Sequence, residues 1–206
     1  MSFAVKAVIE KANHDGDLCE GDVYVFNDPY DGGTHLSDFR LVKPIYRSGK
    51  IFCFLASVGH YHDVGGNVPG NYNPAATESF QEGVLIPPVK LFKGGVLQQD
   101  IIDIMSANSR LPGSLYGDLN GQINALDLGT KRLNELLDQY GEDLVHEATV
   151  ELKARASKLM RAYISRLPDG EFEAVDWLDN DGISDDPLKI KIKLKINLGK
   201  SNTSFL

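Results

Sequence analysis

Two short clusters carry the side chains best suited to chemistry. The first is Asn27-Asp28-Pro29-Tyr30-Asp31-Gly32-Gly33-Thr34-His35-Leu36-Ser37-Asp38, and the second is His60-Tyr61-His62-Asp63. Three of the five histidines of the chain fall here, each close to a carboxylate. His35 and Asp38 are three apart, and His60 follows further on. Two imidazoles with one carboxylate make the facial donor set that holds Fe, Mn or Zn with positions left open. Asp28 and Asp63 could complete that shell, orient the imidazoles, or serve as general base. Gly32-Gly33 allows positive φ or close approach of the backbone to a ligand. The competing reading is a tight turn with histidines that merely satisfy hydrogen bonds.

The intervening segment must bring the clusters together. Phe39–Tyr46 and Ile51–Val58 read as strands, joined by Arg47-Ser48-Gly49-Lys50, a reasonable hairpin loop. Ile51–Val58 is nearly all apolar and is expected to be central in its sheet. In an antiparallel hairpin the residues before the first strand and after the second are neighbours. His35 and Asp38 should therefore meet His60. His62, on a strand end, would face away from His60.

Upstream, Phe3–Lys11 has a short helical stripe with no cap before it, which reads as continuing from an earlier segment. Asp22–Asn27 is apolar on both faces, as in a strand covered on both sides. Gly65–Pro88 is rich in Gly and Pro, and Tyr72 and Phe80 mark it as an ordered binding loop rather than a linker. Beyond it, stripes at three- and four-residue steps predict a helix from Leu97, a long one over Leu115–Tyr140, and another over Leu144–Leu167. Gly141 would join the last two as a helical hairpin, its stripes serving as core or subunit interface. Strand-like Glu171–Trp177 and Leu188–Leu198 follow. The expected fold class is α+β: a mixed sheet whose hairpin carries the site, then a long helical hairpin and a C-terminal β pair. Residues 1–196 read as one domain and 197–206 as a frayed polar tail.

Several function classes are excluded or disfavoured. The chain has 206 residues and a formal charge of −8, against the clustered cations that nucleic acid needs. The alternating lysines Lys189–Lys195 line one face of a strand and read as solvated. No stretch approaches the ~20 apolar residues of a membrane span, and the N-terminus lacks signal-peptide order; a cytoplasmic chain is expected. Two cysteines make no disulfide framework. Phosphate-binding glycine motifs are missing, so any ATP must sit on another chain. Asp176, Asp179 and Asp181-Gly182 fail calcium-loop spacing.

The stretches Gly21–Asp38, Gly59–Gly66 and Phe80–Pro88 resemble the hydantoinase B/oxoprolinase family. Asn108-Ser109-Arg110, Gly117–Gln122 and Leu167–Gly170 fit its pattern in the same order. The resemblance implies a subunit of ATP-dependent hydrolases that open cyclic amides such as hydantoins and 5-oxoproline. Related carboxylases act on small ketones, and by that analogy His35, Asp38 and His60 are ligands of a divalent metal, with manganese favoured. The implied partner is a hydantoinase A-type subunit that binds ATP, within a hetero-oligomer. Where the family has a second His after the position of His60, this chain has Tyr61. The resemblance stops after Ile196, and family members extend further at both ends. The expectation is therefore an internal piece of such a subunit, either active within a complex or a truncated assembly module.

Overall fold

The computed structural model describes residues 1–16, 18–197 and 200–205. They form two compact units, Met1–Glu135 and Leu136–Leu206.

The first unit is built on a five-stranded sheet. Its strands are β1 (Val23–Phe26), β2 (Asp38–Arg47), β3 (Lys50–His60), β4 (Val89–Lys93) and β5 (Val96–Leu97), in the order β3-β2-β1-β4-β5. Every pairing is antiparallel, so the sheet is not the mixed one expected. The short β1 lies at the centre and is buried along its whole length. Its alternation feeds two layers. Tyr24 and Phe26, with Val42 of β2, pack on α1 (Ser2–Asp15) through Ala4 and Val8. Val23 and Val25, with Phe39 and Leu41, face Ile102 and Met105 of α2 (Gln99–Ala107) and Leu115, Leu119 and Leu126 of α3 (Pro112–Tyr140). Helices thus cover both faces of the sheet, as its doubly apolar centre requires.

The apolar β3 is not central. It forms an edge and is mostly half-buried. Apolar content reports burial of a face, whereas centrality depends on a second neighbouring strand, which no local pattern encodes. Its hairpin with β2 turns through Ser48 and Gly49, at φ 51° and 75°. Positive φ at both central positions matches the twist of the flanking strands. A bulge at Ile45/Tyr46 shifts the register, and the far end then pairs Asp38 with His60.

In the second unit, α4 (Glu142–Ile164) follows α3 through Gly141, at φ 81°. None of its residues is buried. Its apolar stripe is therefore not core, and Leu152 and Leu159 stand 68% and 71% exposed. A second antiparallel sheet holds β6 (Gly170–Leu178), β7 (Leu188–Asn197) and β8 (Lys200–Phe205) in that order. Backbone pairing makes a third strand of 200–205, where side-chain pattern offered only a polar tail; residues 198, 199 and 206 lie outside the described residues. Lysines 191, 193 and 195 of β7 pair with Glu171 and Glu173 of β6 across the exposed face. No helix among the described residues is long and apolar enough to cross a membrane.

Candidate metal centre

The register of the β2–β3 hairpin makes the site. Asp38 opens β2 directly opposite His60, which closes β3. His35 precedes β2 by a tight turn in which the Asp38 N–H donates to the His35 carbonyl at 3.1 Å. The loop before it is anchored by Asn27, which is fully buried. The Asn27 amide donates to the carbonyls of Leu36 and Val84, each at 2.8 Å, and accepts the Ile86 N–H at 2.7 Å. Leu36 and Ser37 are buried beneath, and the Tyr61 N–H donates to the Ser37 carbonyl at 2.9 Å.

Asp38 sits between the two imidazoles. Its Oδ1 lies 2.7 Å from His60 Nδ1 and its Oδ2 lies 3.0 Å from His35 Nδ1. The rings meet edge to face, 5.8 Å between centroids. One ligand atom from each of His35, Asp38 and His60 falls within 4.8 Å of the others. Both imidazoles are about two-thirds exposed, whereas Asp38 is 16% exposed. Burial pushes the Asp38 carboxyl up, but hydrogen bonds from His60, the His35 backbone and the His35 ring outweigh it and hold the group below the usual carboxylate range. At neutral pH it is an anion flanked by two nitrogen donors. That is a fitting donor set for Mn, Fe or Zn, and the open side is the exposed one.

A cavity of about 540 Å³ borders the cluster. Its lining joins the side of this cluster, including Pro29, Thr34, His35 and His60, to a second wall of Gly70, Asn71, Tyr72, Asn73, Pro74 and Glu82.

The structure separates the other candidates from this cluster. Asp28 is partly buried beside Pro29 of the lining, and its Oδ1 accepts the Tyr30 N–H at 2.9 Å. Asp63, offered by sequence as a general base, is 3% exposed and saturated. Its Oδ1 accepts the N–H groups of Gly65 and Arg110 at 3.1 and 3.0 Å; its Oδ2 accepts the Gly70 N–H at 3.2 Å and the Arg110 guanidinium at 3.1 Å. Those four donors overcome its burial and hold its pKa low, the opposite of what a base needs. His62 is exposed and outside the cluster. Tyr61 is buried, its hydroxyl donating to Gln122 Oε1 at 2.7 Å.

The glycine pair serves packing. Gly32, at φ 87°, lies against the backbone of Phe3 and Ala4, and a Cβ at Gly33 would overlap the Arg40 guanidinium. Arg40 is 2% exposed and donates from Nη1 to the Asp28 carbonyl at 3.1 Å. It places a fixed cation among Asp38, Asp28 and Asp31. Sequence reasoning passed over Arg40, Glu82, Arg110 and Gln122. For the last three a signal existed: each lies in a stretch that carries the family resemblance, without a role attached.

Known proteins carry the same arrangement of sequence and fold. The beta subunit of the caprolactamase of Pseudomonas jessenii is 38% identical over 180 residues, covering 87% of this chain and 31% of that protein. In the crystal structure of the ATP-dependent caprolactamase from the same organism, 98% of this chain superposes on 35% of the other, with a TM-score of 0.86 and 35% identity. A putative D-/L-hydantoinase of Pseudomonas sp. matches through its B-type subunit, which is 33% identical over 87% of this chain and 30% of its own length. The nucleotide-free structure of acetone carboxylase shares the fold, with a TM-score of 0.80 at 19% identity over 100% of this chain and 29% of that one. The chain thus spans about a third of the length of these relatives. The hydantoinase B/oxoprolinase pattern itself matches residues 1–205, and the chain belongs to that family.

Proposed function

We propose that this chain holds a divalent metal through His35, Asp38 and His60 and acts in the ATP-dependent hydrolysis of a cyclic amide. The ATP would bind on a hydantoinase A-type partner subunit. The observation that carries this reading is the convergence of the three donors, two of which, His35 and His60, stand on the wall of a cavity large enough for a small ring. The caprolactamase and hydantoinase relatives, named as subunits, support a cyclic-amide substrate and a multi-subunit assembly.

In this scheme the partner transfers the γ-phosphoryl group of ATP to the amide oxygen, which makes the ring carbon more electrophilic. Water adds to that carbon and loses its proton to a carboxylate. The C–N bond then breaks as the nitrogen takes a proton, and hydrolysis of the remaining acyl phosphate releases phosphate and the open-chain acid. A bound divalent metal supplies Lewis acidity at the carbonyl or an activated water. Glu82, on the cavity lining, takes the place of Asp63 as proton acceptor; Asp28, beside Pro29, is the other carboxylate close to the lining. Arg40 limits the negative charge of the carboxylate cluster.

Metal titration of the purified chain tests the donor set. The wild type should bind Mn, Zn or Fe, and His35→Ala and His60→Ala should each weaken binding by about 100-fold or more. Equal affinity in all three proteins refutes the assignment. ATP hydrolysis by the reconstituted complex should depend on an added cyclic amide.

A further inference from the structure

The second wall of the cavity has no buried apolar anchor of its own: half-buried Val84, just past Glu82, packs on the core, but Gly70–Pro74 lies far from it in the chain. From Gly65 to Leu85 no residue is buried, and regular structure is limited to single turns at Pro69–Asn71 and Ser79–Gln81. Packing therefore does not fix Gly70–Pro74 over the side of the His35–Asp38–His60 cluster, and polar tethers must. Most of those on the stretch that leads into it, 65–70, converge on two side chains that the reaction scheme does not use. Asp63 takes the Gly70 N–H on one oxygen and the Gly65 N–H on the other. Arg110, entering from the connection between α2 and α3, closes the ring: its Nη1 donates to Asp63 Oδ2 and to the carbonyls of Gly65 and Val68, and its Nη2 to Gly66 at 2.7 Å. Ser109 adds its hydroxyl to the Asp63 carbonyl at 2.7 Å. Asn71, at φ 60°, completes the loop by accepting the Val64 N–H and donating to the Tyr61 carbonyl, next to His60.

We propose that Asp63 and Arg110 are a positioning pair that holds Gly70–Pro74 as the substrate-facing wall of the cavity, with Tyr72 as the surface against which a cyclic amide ring packs. This rests on the functional reading above. Tyr72 is 89% exposed although it lines the cavity, so a flat ring can cover its face. The planar fork of a guanidinium reaches four acceptors at once and a lysine ammonium does not, so Arg110→Lys is not conservative here. Arg110 is 43% exposed, and its replacement leaves the apolar core intact.

The test uses the full chain loaded with Mn2+ and titrated with ε-caprolactam, hydantoin or 5-oxoproline, reading the paramagnetic relaxation of the amide's protons. Arg110→Ala, Arg110→Lys and Tyr72→Ala should each weaken amide binding about 10-fold, equivalent to about 1.4 kcal/mol, while Mn2+ affinity stays within about 2-fold. Asp63→Asn should do the same if it folds, and the Arg110 variants decide the matter if it does not. Unchanged amide affinity in the Arg110 variants overturns the inference and leaves the pair a stabilising contact. Parallel loss of Mn2+ and amide binding also overturns it, placing the pair with the metal centre. A wild-type chain that relaxes none of the three amides overturns the functional reading, and this inference with it.

Discussion

Three carboxylates in this fold are pulled toward different roles by what surrounds them. Asp38 accepts from two imidazoles that are themselves open to solvent, so its anionic form is stabilised without being sealed. Asp63 has both oxygens taken by backbone N–H groups and Arg110, and it serves as a tether. Asp22 is fully buried and holds Lys90 at 2.7 Å, with further donors at the N–H groups of Cys19 and Gly94. Burial raises its pKa, but those three partners together bring it below the ordinary value of 3.8. A depressed carboxylate pKa stabilises the fold above the unfolded value, and that contribution fades as pH falls through the folded one. Asp22→Asn should therefore cost about 3 kcal/mol at pH 7. In urea titrations the gap to the wild type should close as pH drops below 3.8. A gap that is independent of pH would show that the carboxylate charge is not what matters.

At the scale of elements, the β2–β3 hairpin presents the site and α3 braces it from behind. Gln122 of α3 accepts the Tyr61 hydroxyl and donates to the Phe39 carbonyl at 3.1 Å, and Phe39 stacks on Tyr61 at 4.7 Å. One side chain thus fixes the first residues of β2 and the residue after His60. Gln122→Ala leaves a buried hydroxyl and a buried carbonyl without their partner and should cost about 2 kcal/mol. It should also weaken Mn2+ binding, though by less than His60→Ala, since the donors remain and only their support loosens. Thermal unfolding and metal titration of the same variant check both parts. The hairpin was legible in sequence because its strands are long, its turn residues are specific and adjacency of the two ends follows from antiparallel pairing. The edge position of β3 was not, because the neighbours of a strand are chosen by distant segments.

At the scale of the whole molecule, apolar residues with the same helical spacing have opposite fates in the two units. Leu119 of α3 is fully buried in the first unit, and Leu152 of α4 is mostly exposed in the second. Leu119→Ala should lower stability by about 3 kcal/mol, while Leu152→Ala should change it by less than about 0.5 kcal/mol. Chemical denaturation of the two variants measures the contrast; a large loss at Leu152 would mean that the free chain covers its α4 stripe.

The sequence by itself determined the α+β class, the family and the meeting of His35, Asp38 and His60, because hairpin adjacency is a property of residue types and short spacings. Only the tertiary structure decided which carboxylate stands between two open imidazoles and which is enclosed by backbone donors and a guanidinium. The difference lies in Arg110, 47 residues from Asp63, which supplies that carboxylate with two of its four donors. The roles of polar groups are set by the partners that burial leaves them, and those partners are brought together by the packing of the sheet and its helices rather than by any local pattern.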